Sequence, residues 1–176
     1  MILGAVLAGG QSSRFGSDKA LALLDGQTLL TRAVDTLAQW CDAVVVVGRS
    51  EAPAPTIPDW PRAQMGPLGG IAAALRHGAA TGHSEVLTCG VDSVGLPDDL
   101  PARLAPAPAY LADQPVVGLW PASAADDVAA ILDGTGKHSL RALAERLGAR
   151  AVTLEANPAN INTPADLANL EHRDGV

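Results

Sequence analysis

The chain is poor in aromatic residues: Phe15, Trp40, Trp60, Tyr110 and Trp120 are all that its 176 residues contain. RNA-binding modules need more rings than this to stack bases, so RNA recognition loses ground, and a core must be built from Ala, Leu and Val. Basic charge is also short. A formal net charge of -7 leaves no basic face from which a nucleic-acid backbone could release counterions, so any polyanion has to be bound locally. Cysteine stops at Cys41 and Cys89, far apart and in apolar surroundings, which reads as two reduced core thiols and not as a disulfide framework. The opening MILGAVLAGG has no basic region, and its apolar run ends after about seven residues where a membrane span needs about 20. A soluble, cytoplasmic protein with no membrane or nucleic-acid partner is therefore expected. His77, His83, His138 and His172 lack metal-ligand spacing, and no G-x-S-x-G elbow is present, which sets aside a zinc site and a serine hydrolase.

What is present is alternation of strand-like and helix-like runs. Residues 2–8 and 43–47 are Val-, Ile- and Leu-rich runs suited to strands buried on both faces, and Leu29, Leu30, Ala33, Val34, Leu37 and Ala38 recur between them at helical spacing. This is a βαβ unit. A helix over 66–80, entered through Gly-Pro, precedes a strand over 85–91. Pro97 is expected to open a further helix with Asp98 and Asp99 in its first turn. Strands are expected near 109–112, 115–120 and 150–154, with Leu140, Leu143, Ala144 and Leu147 marking a helix before the last. Residues 51–64, with four prolines, read as an extended surface loop, and the tail after about residue 171 as frayed. The sum is a single-domain α/β protein over 1–176, a Rossmann-like three-layer sandwich with a mostly parallel, mixed sheet. In such sheets ligands bind beyond the carboxyl ends of the strands, in the loops that follow them.

Three such loops hold chemistry. LAGGQSSRFGSDKA, residues 7–20, follows the first strand with glycines at 9, 10 and 16 and the charges of Arg14 and Lys19. Glycines allow close backbone approach, and N–H groups near a helix start cradle an anion; a mobile turn with solvated charges is the alternative. Lysine is scarce here, with Lys19 and Lys137 set against ten arginines, and an ammonium suits a phosphate as a compact point charge. Neither a P-loop nor a dinucleotide fingerprint fits the spacing. Asp92 directly follows the strand EVLTCGV, where a carboxylate can hold Mg²⁺ together with nucleotide phosphates or can simply serve a turn. In NPANINTPADL, Asn160 and Asn162 flank Ile161 and would face one side of an extended segment, as recognition groups or as turn formers. Thr163 and Pro164 read as the cap and first residue of a helix, with Asp166 in its first turn.

Read together, these stretches resemble the molybdenum cofactor guanylyltransferases, a branch of the nucleotidyltransferases, over nearly the whole chain. LAGGQSSRFGSDK is similar to the family's L-A-G-G-x-S-x-R-M-G-x-D-K, GPLGG to its G-P-L-A-G, and NINTP to its pterin-side segment. The family's C-D-x-P is here Val91, Asp92, Ser93 and Val94, and its H-P-T is Gln114, Pro115 and Val116. The resemblance implies an enzyme that moves GMP from GTP to the terminal phosphate of molybdopterin with Mg²⁺. It implies nucleotide contacts from Leu7, Ala8, Gly9 and Gly10, phosphate contacts from Arg14 and Lys19, a guanine contact from Asp59, Mg²⁺ and triphosphate at Asp92, and the pterin facing Asn160 and Asn162. It leaves open a protein that delivers the cofactor. Cytidylyl transfer to the same pterin, nucleotidyl transfer to a sugar phosphate, and a nucleotide-binding module without turnover are the competing readings.

Overall fold

A computed structural model describes residues 1–10, 18–156 and 158–174. In chain order the strands and helices are β1 (Ile2–Leu7), β2 (Leu23–Leu24), β3 (Gln27–Thr28), α1 (Leu29–Ala38), β4 (Ala43–Val47), β5 (Thr56–Ile57), α2 (Gly66–Ala80), β6 (Glu85–Gly90), β7 (Ser93–Val94), α3 (Leu100–Leu104), β8 (Ala109–Leu111), β9 (Gly118–Pro121), α4 (Ala125–Asp133), α5 (Leu140–Leu147), β10 (Arg150–Val152), β11 (Ala159–Asn160) and α6 (Pro164–Asp174). Seven strands form one sheet in the order β10-β8-β9-β6-β1-β4-β5. All its pairings are parallel except those of β9, which runs antiparallel to both β6 and β8. The expected mixed, mostly parallel sheet flanked by helices is what forms.

Because successive strand residues face opposite sides of a sheet, a strand covered on both faces must be apolar throughout. Leu3, Ala5, Val45, Val47 and Val86 join the core beneath α2, α4 and α5. Val6, Val46, Leu87 and Cys89 join the one beneath α1 and α3. Thr88 is a polar exception in β6, fully buried, and its hydroxyl is spoken for: Oγ1 donates to the Val116 carbonyl at 2.7 Å and accepts from Trp120 Nε1 at 3.0 Å. Burial pushes the Cys41 and Cys89 thiols up to about 12, so both remain protonated thiols at neutral pH.

Several boundaries move for identifiable reasons. The strand expected over 115–120 begins at Gly118 because residues 111–117 form a closed turn, with Gln114 N–H donating to Leu111 O and Val117 N–H to Gln114 O. Pro97 does not open a helix. Its carbonyl accepts from Leu100 N–H, and α3 starts at Leu100 with Asp99 as its flanking residue, paired to Arg103 one turn on. The loop expected over 51–64 contains the edge strand β5, whose two residues pair with Val46 and Val47. Helix α4, which buries Val128 and Leu132, had not been anticipated, although Val128, Ile131 and Leu132 carry the i, i+3, i+4 spacing that marks a helix.

Candidate active site

The three central parallel strands end level with one another, Leu7 beside Val47 and beside Gly90, so the segments that follow them are delivered to one place. The first two approach to backbone contact. Gly48 has φ +87°, and a Cβ built on it would lie 2.7 Å from Gly9 Cα, so this position requires glycine both for its dihedral and for its space. Hydrogen bonds from Ala8 N–H to Val47 O and from Gly48 N–H to Ile57 O hold the crossing.

Asp18 anchors the next part of the site. Its carboxylate caps a short 3₁₀ turn, Lys19–Leu21, by accepting from Ala20 N–H, and takes a bidentate pair from Arg49 at 3.0 and 2.7 Å. The Arg49 guanidinium holds the Asp18 carboxyl below the usual carboxylate range. Arg49 directly follows Gly48, so the same crossing that joins the first two loops also anchors the residue before Lys19. From that anchored base, Lys19 Nζ reaches Asp92, donating to Oδ2 at 3.2 Å.

Asp92 stands two residues beyond the end of β6 and folds back over it: a Cβ placed on Gly90 would come within 2.5 Å of Asp92 Oδ1. Glycine at 90 thus makes room for the carboxylate. Gly90→Ala is expected to leave the fold intact, because only a side-chain tip has to give, but to displace the carboxylate by the order of 1 Å and lower kcat/KM about 10²-fold. Unfolding midpoint and steady-state kinetics on the same preparation check both halves of this prediction.

Leu7, Gly9, Gly10, Lys19, Asp59 and Asp92 all line one cleft of about 340 Å³, and Ala8 lines an adjoining hollow with Gly9, Gly10 and Lys19. Asp59 approaches from the loop after β5, its carboxylate beside Gly9, Gly48 and Gly70, and burial raises its pKa above the usual aspartate range. The next residue, Trp60, is fixed by Arg76 of α2, whose guanidinium lies 4.5 Å from the ring centre.

Arg14 lies outside the described residues, and the expected pair of asparagines stands apart from this arrangement. Asn160 and Asn162 do not line the cleft; Asn160 ends the neighbouring strand β11, which pairs with the segment beyond Asp92 and sets Asn160 opposite Ser93, and Asn162 lies just past it, after Ile161, whose N–H donates to Asp92 O. Ile161 is buried between an exposed Asn160 and a half-buried Asn162, as an alternating extended segment requires. The helix start after them is as expected. Thr163 Oγ1 accepts from Asp166 N–H, and Asp166 reciprocates by accepting from the N–H groups of Asn162 and Thr163, which hold its carboxyl below the usual range. Sequence reasoning had not singled out Asp18, Gly48, Arg49 or Gly90. Gly48 and Arg49 follow the strand AVVVV at its carboxyl end, so the rule that directed attention to the other loops applied to this one too.

A lysine, the glycines of the first loop and two carboxylates line one cleft, and comparison with known proteins gives the chain a family. The model of the MobA-like NTP transferase domain matches residues 4–154. The chain belongs to that family. This MobA-like protein is 39% identical to a molybdenum cofactor guanylyltransferase of Acidiphilium cryptum, over 94% of its own length and 92% of the relative's. It is 35% identical to one of Rhodobacter capsulatus, over 98% and 96% of the two chains. The crystal structure of molybdopterin-guanine dinucleotide biosynthesis protein A from Archaeoglobus fulgidus superposes with a TM-score of 0.77 over 98% of each chain at 23% identity, a likeness of fold. Membership makes the protein a nucleotidyltransferase, and the cleft at the ends of β1, β4 and β6 is its candidate active site.

Proposed function

We propose that this protein transfers GMP from GTP to the terminal phosphate of molybdenum-bearing molybdopterin, forming the guanine dinucleotide cofactor and pyrophosphate, as one nucleotidyltransferase domain spanning residues 1–176. The observation that carries this reading is the meeting of Lys19 and Asp92 at 3.2 Å, with Asp59 on the wall of the same cleft. In it the β1 loop, from Leu7 to Gly10, lies along the nucleotide, Arg14 and Lys19 neutralise its phosphates, and Asn160 and Asn162 face the pterin.

The donor set suits Mg²⁺. Among the described residues no three His, Cys, Asp or Glu side chains cluster, but Asp92 offers hard carboxylate oxygens, and Mg²⁺ commonly takes one or two carboxylates and completes its shell with phosphate and water. Bound there, the ion would polarise the phosphoryl oxygens and offset charge on the departing pyrophosphate. Lys19, with Arg14, supplies the positive charge that the protein itself brings to the phosphates. A phosphate monoester has its second pKa near ~6, so the attacking acceptor is already ionised at neutral pH. No general base is called for, and the work of the site is positioning and charge neutralisation.

Asp59 favours guanine over cytosine. An ionised carboxylate only accepts hydrogen bonds, and the Watson–Crick edge of guanine offers two adjacent N–H donors where cytosine offers one. Asp59→Asn is expected to raise KM for GTP about ten- to a hundredfold, the equivalent of one bidentate base contact, with little change in kcat. The raised pKa of Asp59 adds a sign. Protonation replaces an acceptor by a donor, so GTP affinity should fall as pH drops through that pKa, at higher pH than for an ordinary aspartate, and recover above it; calorimetric titration across the acid range would detect it.

The reading is tested by incubating the protein with Mg²⁺, molybdopterin and GTP or CTP in turn, and detecting dinucleotide product by mass. The guanine product, and little of the cytosine one, is expected. Product from CTP alone would transfer the assignment to cytidylyl transfer, and none from either would remove it.

A further inference from the structure

Gln114 is one of two buried polar side chains in the described core, only 7% exposed, and its amide is engaged at both ends. Its Oε1 accepts from Ser93 Oγ at 2.7 Å, and its Nε2 donates to the Pro158 carbonyl at 2.9 Å. Those two partners are the neighbours of Asp92 and of the Ala159–Asn160 strand. The amide therefore bridges the segment carrying the cleft carboxylate to the segment carrying the asparagines, on the side where β7 and β11 share only two residue pairs and the single contact from Ile161 N–H to Asp92 O. Two-residue strands hold register weakly by themselves. A buried side chain satisfied from both sides adds what the short ladder lacks.

The base of the bridge is rigid. Gln114 sits in the turn between β8 and β9, closed by its own N–H and carbonyl. The following Val116 carbonyl is held by Thr88, itself held by the indole of Trp120, both fully buried. Hydrogen bonds and the backbone of the closed turn thus lead from the centre of the sheet through Gln114 to both Ser93 and Pro158.

We infer that Gln114 is a positioning residue for the acceptor half of the reaction, fixing the separation between Asp92 and the Asn160–Asn162 segment. This rests on the guanylyltransferase reading for what the acceptor is, but the bridge itself can be tested without it. Gln114 does not itself line the nucleotide cleft, although Val116 of the same turn does, so its loss should be felt more by the acceptor and by the transfer step than by GTP.

The variants are Gln114→Leu, which removes both arms; Ser93→Ala, which removes one; and Gln114→His, whose neutral imidazole keeps one N–H and one lone pair and so can retain both. In Gln114→Leu the acceptor KM should rise and kcat fall, together about 10²-fold in kcat/KM as for a displaced group, with Kd for GTP by calorimetry within about twofold. Ser93→Ala should fall between it and the wild type, and Gln114→His close to the wild type. Hydrogen exchange at Ile161 N–H should quicken at least about tenfold in Gln114→Leu, since its local opening loses a buried anchor. If Gln114→Leu does not fold, the same kinetic split in Ser93→Ala decides. Unchanged acceptor kinetics in the variants, whatever their melting temperature, would overturn the inference, as would equal losses for GTP and acceptor. Should the wild type make no dinucleotide at all, the guanylyltransferase reading fails by itself. The exchange rate at Ile161 then still judges the bridge, unchanged exchange refuting it and faster exchange supporting it.

Discussion

Asp92→Asn is expected to lower turnover with GTP about 10³-fold, because the charge stabilisation a metal ion gives a phosphoryl transition state is worth several kcal/mol, and each 1.36 kcal/mol is a factor of ten. The substitution keeps shape, removes the charge and exchanges one acceptor oxygen for an N–H donor. Asp92 is about a quarter exposed and its carbonyl accepts one backbone hydrogen bond, from Ile161 N–H, which the substitution leaves in place, so the fold should survive, and circular dichroism and the unfolding midpoint should match the wild type within a few degrees. The Mg²⁺ dependence of GTP binding should weaken in the same variant. A calorimetric Mg²⁺ titration identical to the wild type would place the metal elsewhere, and full turnover would remove Asp92 from the site.

The second large effect is expected at Lys19. Lys19→Ala should reduce kcat by roughly 10²- to 10³-fold, the range for losing one preorganised donor aimed at developing charge. Lys19→Arg should restore only part of it. The ammonium is a compact point charge on a turn whose start is fixed by the Asp18–Arg49 pair, whereas a planar guanidinium has a different reach and donor geometry. The measurement is steady-state kinetics at saturating Mg²⁺ for both variants. Near wild-type turnover in Lys19→Ala would mean that the charge neutralising the phosphates comes from another group.

Much of the architecture was legible because burial on both faces writes itself into a strand as an unbroken apolar run. The strands over 2–7, 43–47 and 85–90 and the helices over 29–38 and 66–80 appeared within a residue or two of their bounds. Local rules failed where tertiary contacts decide. Pro97 has the look of a helix start, yet it closes a turn with Leu100, and Pro115 lies within a closed turn ahead of a strand that waits until Gly118.

The site divides in the same way. Lys19, Asp92, Gly9 and Gly10 were readable from their positions after strands, and the structure brings them together with Asp59, which came from family resemblance alone. The contacts that hold them in place were not readable. The Arg49–Asp18 pair spans 31 residues, and the Gln114 bridge spans 21 to Ser93 and 44 to Pro158. No local pattern announces a partner so distant. Gln114, which stands where the family's H-P-T has its histidine, accepts from Ser93, the variable position of the C-D-x-P segment, so one contact joins the two segments.

The central claim is guanylyl transfer at the α-phosphorus in the cleft that Lys19 and Asp92 share, and positional labelling tests it most directly. With GTP labelled at its α-phosphorus, Mg²⁺ and molybdopterin, the label should appear in the pterin dinucleotide and the released pyrophosphate should carry none. Label retained in free guanine nucleotide, with no labelled pterin product formed, would contradict the account.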